Sequence, residues 1–251
     1  MPTIFITGAT AGFGEAAARR FAREGWKVII TGRREERLEA LKDELAPAPV
    51  HAAAMDVRDK AAVDKIVAEL PAEFAEVDLL FNNAGLAVGM EKAHEAAIED
   101  WRTMVDTNVM GVLNCVQALL PQMAARNRGH VVTVGSIAGN YPYTTGNVYG
   151  ATKAFTRQLM LNMKADLLGT GVRVTSLEPG MADTEFSLGR TRGDEAKARA
   201  YYENVKTLES EDVAECLWWV ANLPQHVTVT RLEVWPTDQS FGPFQLHKRE
   251  A

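Results

Sequence analysis

The segment YGATK sets Tyr149 and Lys153 four residues apart, with three small residues between them. On a helix, positions i and i+4 share a face, so a phenol and an ammonium would lie side by side. Two readings are open. On a surface helix the pair does nothing in particular. In a cleft the cation favours the phenolate and draws the tyrosine down from its ordinary ~10 toward working pH, so that it gives and takes a proton. Ser136 ends the apolar run HVVTVGS (130–136), thirteen residues before Tyr149, and its hydroxyl could polarise the atom that receives that proton. The Y-x-x-x-K spacing alone arises often by chance, so the elements around it must decide.

Short β-branched runs alternate with helical patterns along most of the chain. TIFIT (3–7), KVIIT (27–31), VHAAA (50–54), VDLLF (77–81), HVVTVGS (130–136), VRVTSLE (172–178) and VTRLEVW (229–235) read as strands. GEAAARRFAREG carries Ala17, Phe21 and Ala22 at helical spacing, with Gly25 as a stop. Further helices are expected over 35–45, 60–70, 148–168 and 211–223, with one long helical region from Ile98 to Arg126. Strands alternating with helices imply a mostly parallel sheet covered on both faces. With no repeat, linker or low-complexity stretch, residues 1–251 read as a single domain. After Pro179 the pattern weakens. The polar segment DTEFSLGRTRGDEAKARA reads as a mobile loop or short helix, and PTDQSFGPFQLHKREA as a tail.

The 251 residues are 47% apolar, enough for a sizeable core, and carry a net charge of −6. That balance favours neither nucleic acid nor an anionic membrane as a partner. No apolar run approaches the ~20 residues of a membrane-spanning helix, and the N-terminus has no basic leader, so a cytoplasmic protein is expected. Cys115 and Cys216 stand in helical stretches, outside CxxC or Cys/His spacing, and read as buried, reduced thiols. No metal site is expected.

TGATAGFG (7–14) leaves the first strand and opens the first helix, with Gly8, Gly12 and Gly14 in G-x-x-x-G-x-G spacing. Glycines there permit a tight turn and close approach of backbone N–H groups to a pyrophosphate. The loop resembles the TGxxxGxG loop of the short-chain dehydrogenase/reductase family. After the second strand, where an NAD-preferring fold usually carries an acid, stand Gly32, Arg33 and Arg34. Two guanidinium groups suit the 2′-phosphate of NADP, so the expected cofactor is NADP(H).

The resemblance extends through Asp56-Val57, NNAG (82–85), Asn108 in DTNVMG, Ser136, Tyr149, Lys153 and the Pro179-Gly180…Thr184 segment, in the family's order. It implies a Rossmann-type doubly wound sheet of seven parallel strands in order 3-2-1-4-5-6-7. It also implies a cofactor site of Thr7, Gly8, Thr10, Gly12, Phe13, Gly14, Arg33, Arg34, Asp56, Val57, Asn83, Ala84, Gly85, Pro179, Gly180 and Thr184 together with Tyr149 and Lys153. In the implied catalytic set of Asn108, Ser136, Tyr149 and Lys153, the serine holds the substrate oxygen and the tyrosine transfers the proton. Lys153 lowers the Tyr149 pKa and holds the ribose, while Asn108 kinks its helix and holds a water. The small residues of GAT would let the cofactor pass close to that helix face.

TGATAGFGE, TGRREERL, LKDEL, NNAGLAVGMEKAH, GNVYGATKAF and TEFS look like one subgroup, the NADP-dependent 3-hydroxy acid dehydrogenases. These act on serine, allo-threonine and short 3-hydroxy acids and reduce the corresponding semialdehydes. A related group reduces sulfoacetaldehyde to isethionate, and a non-catalytic NADP-sensing regulator is a distant alternative on the same fold. A short anion needs a cation or a donor cluster, and the candidates are Arg190 and Arg192 in a lid over about 184–208, with Tyr143 and Asn147 beside Tyr149. The resemblance also implies a homotetramer, in which the tail over about 236–251, bearing Phe241 and Phe244, helps close a neighbour's site.

Overall fold

The computed structural model describes residues 1–200 and 202–241. Strands β1 (Thr3–Thr7), β2 (Lys27–Gly32), β3 (Val50–Ala54), β4 (Leu79–Asn82), β5 (Gly129–Val134), β6 (Val172–Pro179) and β7 (Arg231–Val234) form one sheet in the order β3-β2-β1-β4-β5-β6-β7. Every pairing is parallel. The chain runs outward from β1 to β3, then returns to start β4 on the other side of β1. The strand ends diverge at that reversal, and a crevice opens beyond the carboxyl ends of β1 and β4.

Side-chain alternation builds the two faces. All five residues of β1 are buried. Ile4 and Ile6 point into a cluster with Phe21, Val28, Ile30, Phe81 and Leu217, while Phe5 points into the opposite cluster with Ile29, Leu80, Val131, Leu119 and Met163. Burying each such side chain contributes roughly 1.5–3 kcal/mol, and a one-residue slip would turn both sets to the wrong side. Helices α1 (Gly12–Arg23) and α9 (Ser210–Ala221) cover the first face. Helices α3 (Lys60–Ala68), α5 (Gly111–Ala125) and α6 (Asn147–Asp166) cover the second, and α2 (Glu35–Glu44) follows β2 with Leu38 and Leu41 in the first cluster. Cys115 is buried, and the low-dielectric surroundings push its thiol up to about 12. Cys216 is only partly buried, because it sits at the margin of the α9 core face.

The long helical region is continuous from Ile98 to Ala125, with a π turn around Asn108, where the resemblance implied a kink. It is α4 (Ile98–Val105), a π-helical turn over Asp106–Met110, and α5. The lid segment forms two short helices, α7 (Phe186–Arg190) and α8 (Glu195–Ala200). Phe241 packs on its own chain, with ring centroids 5.1 Å from Trp235 and 5.4 Å from Tyr141. Phe244 and the rest of the tail lie outside the described residues. Among the described residues no helix is long and apolar enough to cross a membrane, and no cluster of His, Cys, Asp and Glu could hold a metal.

Candidate active site

A cleft of about 930 Å³ runs along the carboxyl ends of the strands. It brings together Gly8, Thr10, Gly12, Phe13, Arg33, Arg34, Asp56, Val57, Asn83, Ala84, Gly85, Ser136, Tyr143, Tyr149, Lys153, Pro179, Gly180, Thr184 and Arg190. Thr7, Gly14, Asn108, Asn147 and Arg192 do not line it.

Each of those five has another task. Thr7, at the end of β1, accepts the N–H groups of Asn83 and Ala84 at 3.0 Å each, which fixes the NNAG segment against the glycine loop. A Cβ on Gly14 would fall 2.5 Å from the Gly8 carbonyl oxygen, so only glycine lets α1 start this close to its own loop. The Asn108 amide is fully used: Oδ1 accepts from Leu86 N at 2.9 Å, and Nδ2 donates to Leu86 O at 2.8 Å and to Thr152 Oγ1 at 3.1 Å. Its place in the π turn thereby ties the segment that follows β4 to α6. Asn147 Nδ2 donates to the Glu91 carbonyl at 3.1 Å and turns away from the cleft. Arg192 follows α7 in a left-handed turn (φ 53°) and pairs with Glu91 and Asp100 at 2.6 Å each. Two carboxylates claim that guanidinium, which corrects the expectation that Arg192, like Asn147, faces the substrate.

The reactive end of the cleft lies where β5, α6 and the lid meet. Ser136 lies two residues beyond β5 and caps the 3-10 turn Ile137–Gly139, its Oγ accepting from Ala138 N at 3.1 Å. Tyr149 is buried in the first turns of α6, with the Ser136 hydroxyl close enough to favour its ionised form. Burial and the nearby Tyr143 raise the Tyr149 phenol above its usual range, against the downward pull of Ser136 and Arg190. Lys153 is also buried. Its Nζ donates to the Val134 carbonyl at 2.7 Å and lies 5.9 Å from the Tyr149 ring centroid. Burial pushes this ammonium down to about 8. The expected lowering of Tyr149 by Lys153 is therefore outweighed here: loss of hydration acts on both groups and favours the neutral form of each.

The small residues of YGATK do not line the cleft. A Cβ on Gly150 would meet the Ala138 carbonyl oxygen at 2.8 Å, Ala151 is exposed, and Thr152 donates to the Tyr149 carbonyl. Gly150 thus lets α6 pack onto the turn that follows Ser136 and sets the distance between the two hydroxyl groups.

The lid supplies the rest. Arg190, at the end of α7, is buried, with its guanidinium 5.2 Å from the Tyr143 ring centroid and 6.0 Å from that of Tyr149. Phe186 stands 5.4 Å from the Tyr149 ring. Phe186, Glu185, Arg37 and Gln239 escaped the sequence reading. The lid carries no periodicity to single out the first two, and Gln239 matters only because its Oε1 accepts from Met181 N at 2.7 Å, behind the Pro179-Gly180 turn.

The other end fits a dinucleotide. Among the described residues no side chain caps the N-terminus of α1, so the first-turn N–H groups remain for an anion. A Cβ on Gly12 (φ 56°) would project into the gap facing Thr184, 3.5 Å away, which is the space a pyrophosphate needs. Arg33 and Arg34 stand at the mouth beyond it, and Asp56 at the rim is held below the usual carboxylate range by its hydrogen bonds from Arg58. Cations thus mark both ends of a cleft in a chain of net charge −6.

The short chain dehydrogenase family model matches residues 2–194. The chain is 54% identical over 246 residues to the NADP-dependent 3-hydroxy acid dehydrogenase YdfG of Salmonella typhi, covering 98% of this chain and 99% of that protein. It is 51% identical over 246 residues to a serine 3-dehydrogenase of Agrobacterium fabrum, covering 98% of each. Among solved structures, the closed form of a serine dehydrogenase complexed with NADP+ superposes with a TM-score of 0.95 at 52% identity, over 98% of this chain and 100% of that one.

Proposed function

We propose, from the fact that this chain belongs to the short chain dehydrogenase family, that it is an NADP(H)-dependent oxidoreductase acting on a short 3-hydroxy acid and its semialdehyde, of the serine, allo-threonine and 3-hydroxypropionate type. The observation that carries the substrate class is Arg190, a buried guanidinium 6.0 Å from the Tyr149 ring. A cation at that range from the proton-transferring phenol suits a substrate whose carboxylate lies two or three bonds from its reacting carbon. The names of the relatives support the same class.

Bound NADP(H) supplies or accepts the hydride. The chain's own residues do the rest. Ser136 donates to the substrate oxygen, on which charge develops during reduction. Tyr149, beside Ser136, gives that oxygen its proton, or removes it in the oxidative direction. Lys153 sits close enough to stabilise the phenolate once the proton has left. Arg190 clamps the carboxylate, and Phe186 and Tyr143 exclude water around it. Residues 184–208 act as a lid on a single-domain scaffold. We also infer a cytoplasmic homotetramer, as the family resemblance implies.

The test is NADPH consumption with malonic semialdehyde and, in parallel, sulfoacetaldehyde, each repeated with NADH. NADPH with the carboxylate is the expected preference. A sulfonate meets the same guanidinium, and a preference for it would move the protein to sulfonate metabolism with the residue roles unchanged. Arg190→Ala is expected to raise KM for malonic semialdehyde about tenfold or more, with little change for an uncharged short aldehyde. Equal losses on both substrates would sink the clamp.

A further inference from the structure

Arg33 and Arg34 are adjacent, yet their surroundings differ. Arg34 is committed. Its Nε and Nη2 donate to Thr10 Oγ1 at 3.0 and 2.8 Å, Nη2 also donates to the Thr10 carbonyl at 3.0 Å, and Nη1 donates to Glu185 Oε2 at 2.9 Å. Arg37, one turn further along α2, donates to the other Glu185 oxygen at 2.7 Å. Arg33 makes no hydrogen bond or ion pair among the described residues, and it opens onto the same mouth of the cleft.

We propose that the two arginines divide the work: Arg33 takes the 2′-phosphate, and Arg34 is a positioning residue that, with Arg37, latches Glu185 and hence the lid to the glycine loop. The first half rests on the NADP(H) reading above. Glu185 lies between Thr184 and Phe186, and Phe186 touches the Tyr149 ring. Thr10 lies in the glycine loop. One carboxylate shared by two guanidinium groups therefore joins the cofactor end of the cleft to the wall of the reactive end. A phosphate placed on Arg34 would share Nη1 with a carboxylate, like charge against like charge. Arg33 donates to no carboxylate and offers its whole fork, with Asp56 acting on it only through space. The Glu185 carboxyl is held below its usual range, chiefly by Arg34, in keeping with a standing ion pair.

Calorimetric titration with NADP+ and NAD+, together with hydrogen–deuterium exchange of residues 186–200, tests both halves on the full chain. Arg33→Ala is expected to reduce the preference for NADP+ over NAD+ about tenfold or more, with lid exchange unchanged. Glu185→Gln is expected to weaken both cofactors by the same factor, about threefold for exposed ion pairs, and to speed lid exchange several-fold. In ~1 M NaCl these exposed pairs should weaken, so lid exchange in the wild type should move toward that of Glu185→Gln while the variant changes little.

Tighter binding of NADP+ alone in Glu185→Gln would overturn the division, because the carboxylate would then be competing with the phosphate on Arg34. Unaltered lid exchange would overturn the latch. Equal wild-type affinity for NADP+ and NAD+ would remove the cofactor reading and the Arg33 half with it, while lid exchange in Glu185→Gln would still judge the latch.

Discussion

Tyr149 and Lys153 are tuned by burial more than by each other. Dehydration raises the phenol and lowers the ammonium to about 8, so Tyr149 stays protonated through neutral pH and is ready as a general acid. Reduction should then be flat below about pH 8, while oxidation, which needs the phenolate, should climb with pH. A plateau in oxidative kcat/KM already at pH 7 would contradict that order. Tyr149→Phe should lower turnover by ~10²–10⁴ while calorimetry shows NADPH binding largely intact. Lys153 carries a stability cost as well. Its pKa falls from 10.5 to about 8 on folding, so the unfolded chain binds more protons between those values, and stability rises with pH across that window. At ~1.4 kcal/mol per pH unit the cost below pH 8 is about 3 kcal/mol. Lys153→Met also strands the Val134 carbonyl, which returns roughly 1 kcal/mol. The variant should therefore be inactive but about 2 kcal/mol more stable at pH 7, and by pH 10.5 it should be the less stable of the two, by roughly 1 kcal/mol. Urea denaturation of the cofactor-free protein at both pH values checks this, and a variant less stable at pH 7 would refute it.

Elements turn these side chains into a site, and the contacts between elements were the part least legible in the sequence. The identities of Ser136, Tyr149 and Lys153 could be read from spacing and resemblance. The reason for the small residue at 150 could not, since it depends on the Ala138 carbonyl brought over by the turn after β5. This gives a prediction at the same scale. Gly150→Ala improves intrinsic helix propensity by ~1 kcal/mol, yet its methyl would press on that carbonyl at 2.8 Å. Overpacking costs roughly 1–3 kcal/mol, so the contact wins. We expect a lower Tm and a kcat loss out of proportion to it, because α6 must shift against the Ser136 turn; an unchanged kcat would mean that the turn yields instead. Other differences have the same origin. The helical run over 98–126 and a kink at Asn108 were legible, but the partners that hold the π turn, Leu86 and Thr152, were not. Arg190 and Arg192 are indistinguishable by type. The left-handed turn at 192 sends one to Glu91 and Asp100 and leaves the other beside Tyr149.

At the scale of the molecule, the doubly wound sheet was legible because it rests on local alternation: a strand with Ile4 and Ile6 on one side and Phe5 on the other demands cover on both faces. Assembly is written less plainly. Four large apolar side chains lie exposed on neighbouring elements: Ile98 (49%) and Val105 (39%) on α4, Met110 (44%) in the π turn and Phe155 (42%) on α6. Single exposed apolar residues need no explanation, but a group on helices that pack together points to a covered face. Phe241, by contrast, packs on Trp235 and Tyr141 of its own chain. The α4–α6 face is therefore a second place, beside the tail, where subunits of a tetramer would meet. Light scattering should give four times the 27.5 kDa chain mass. Phe155→Glu would bury a charge in that contact at a cost of several kcal/mol, enough to lower the mass at micromolar concentration while the isolated fold, whose cores exclude Phe155, keeps its circular dichroism. A wild-type monomer would remove the assembly altogether, and a Phe155→Glu tetramer would show that the subunits meet elsewhere.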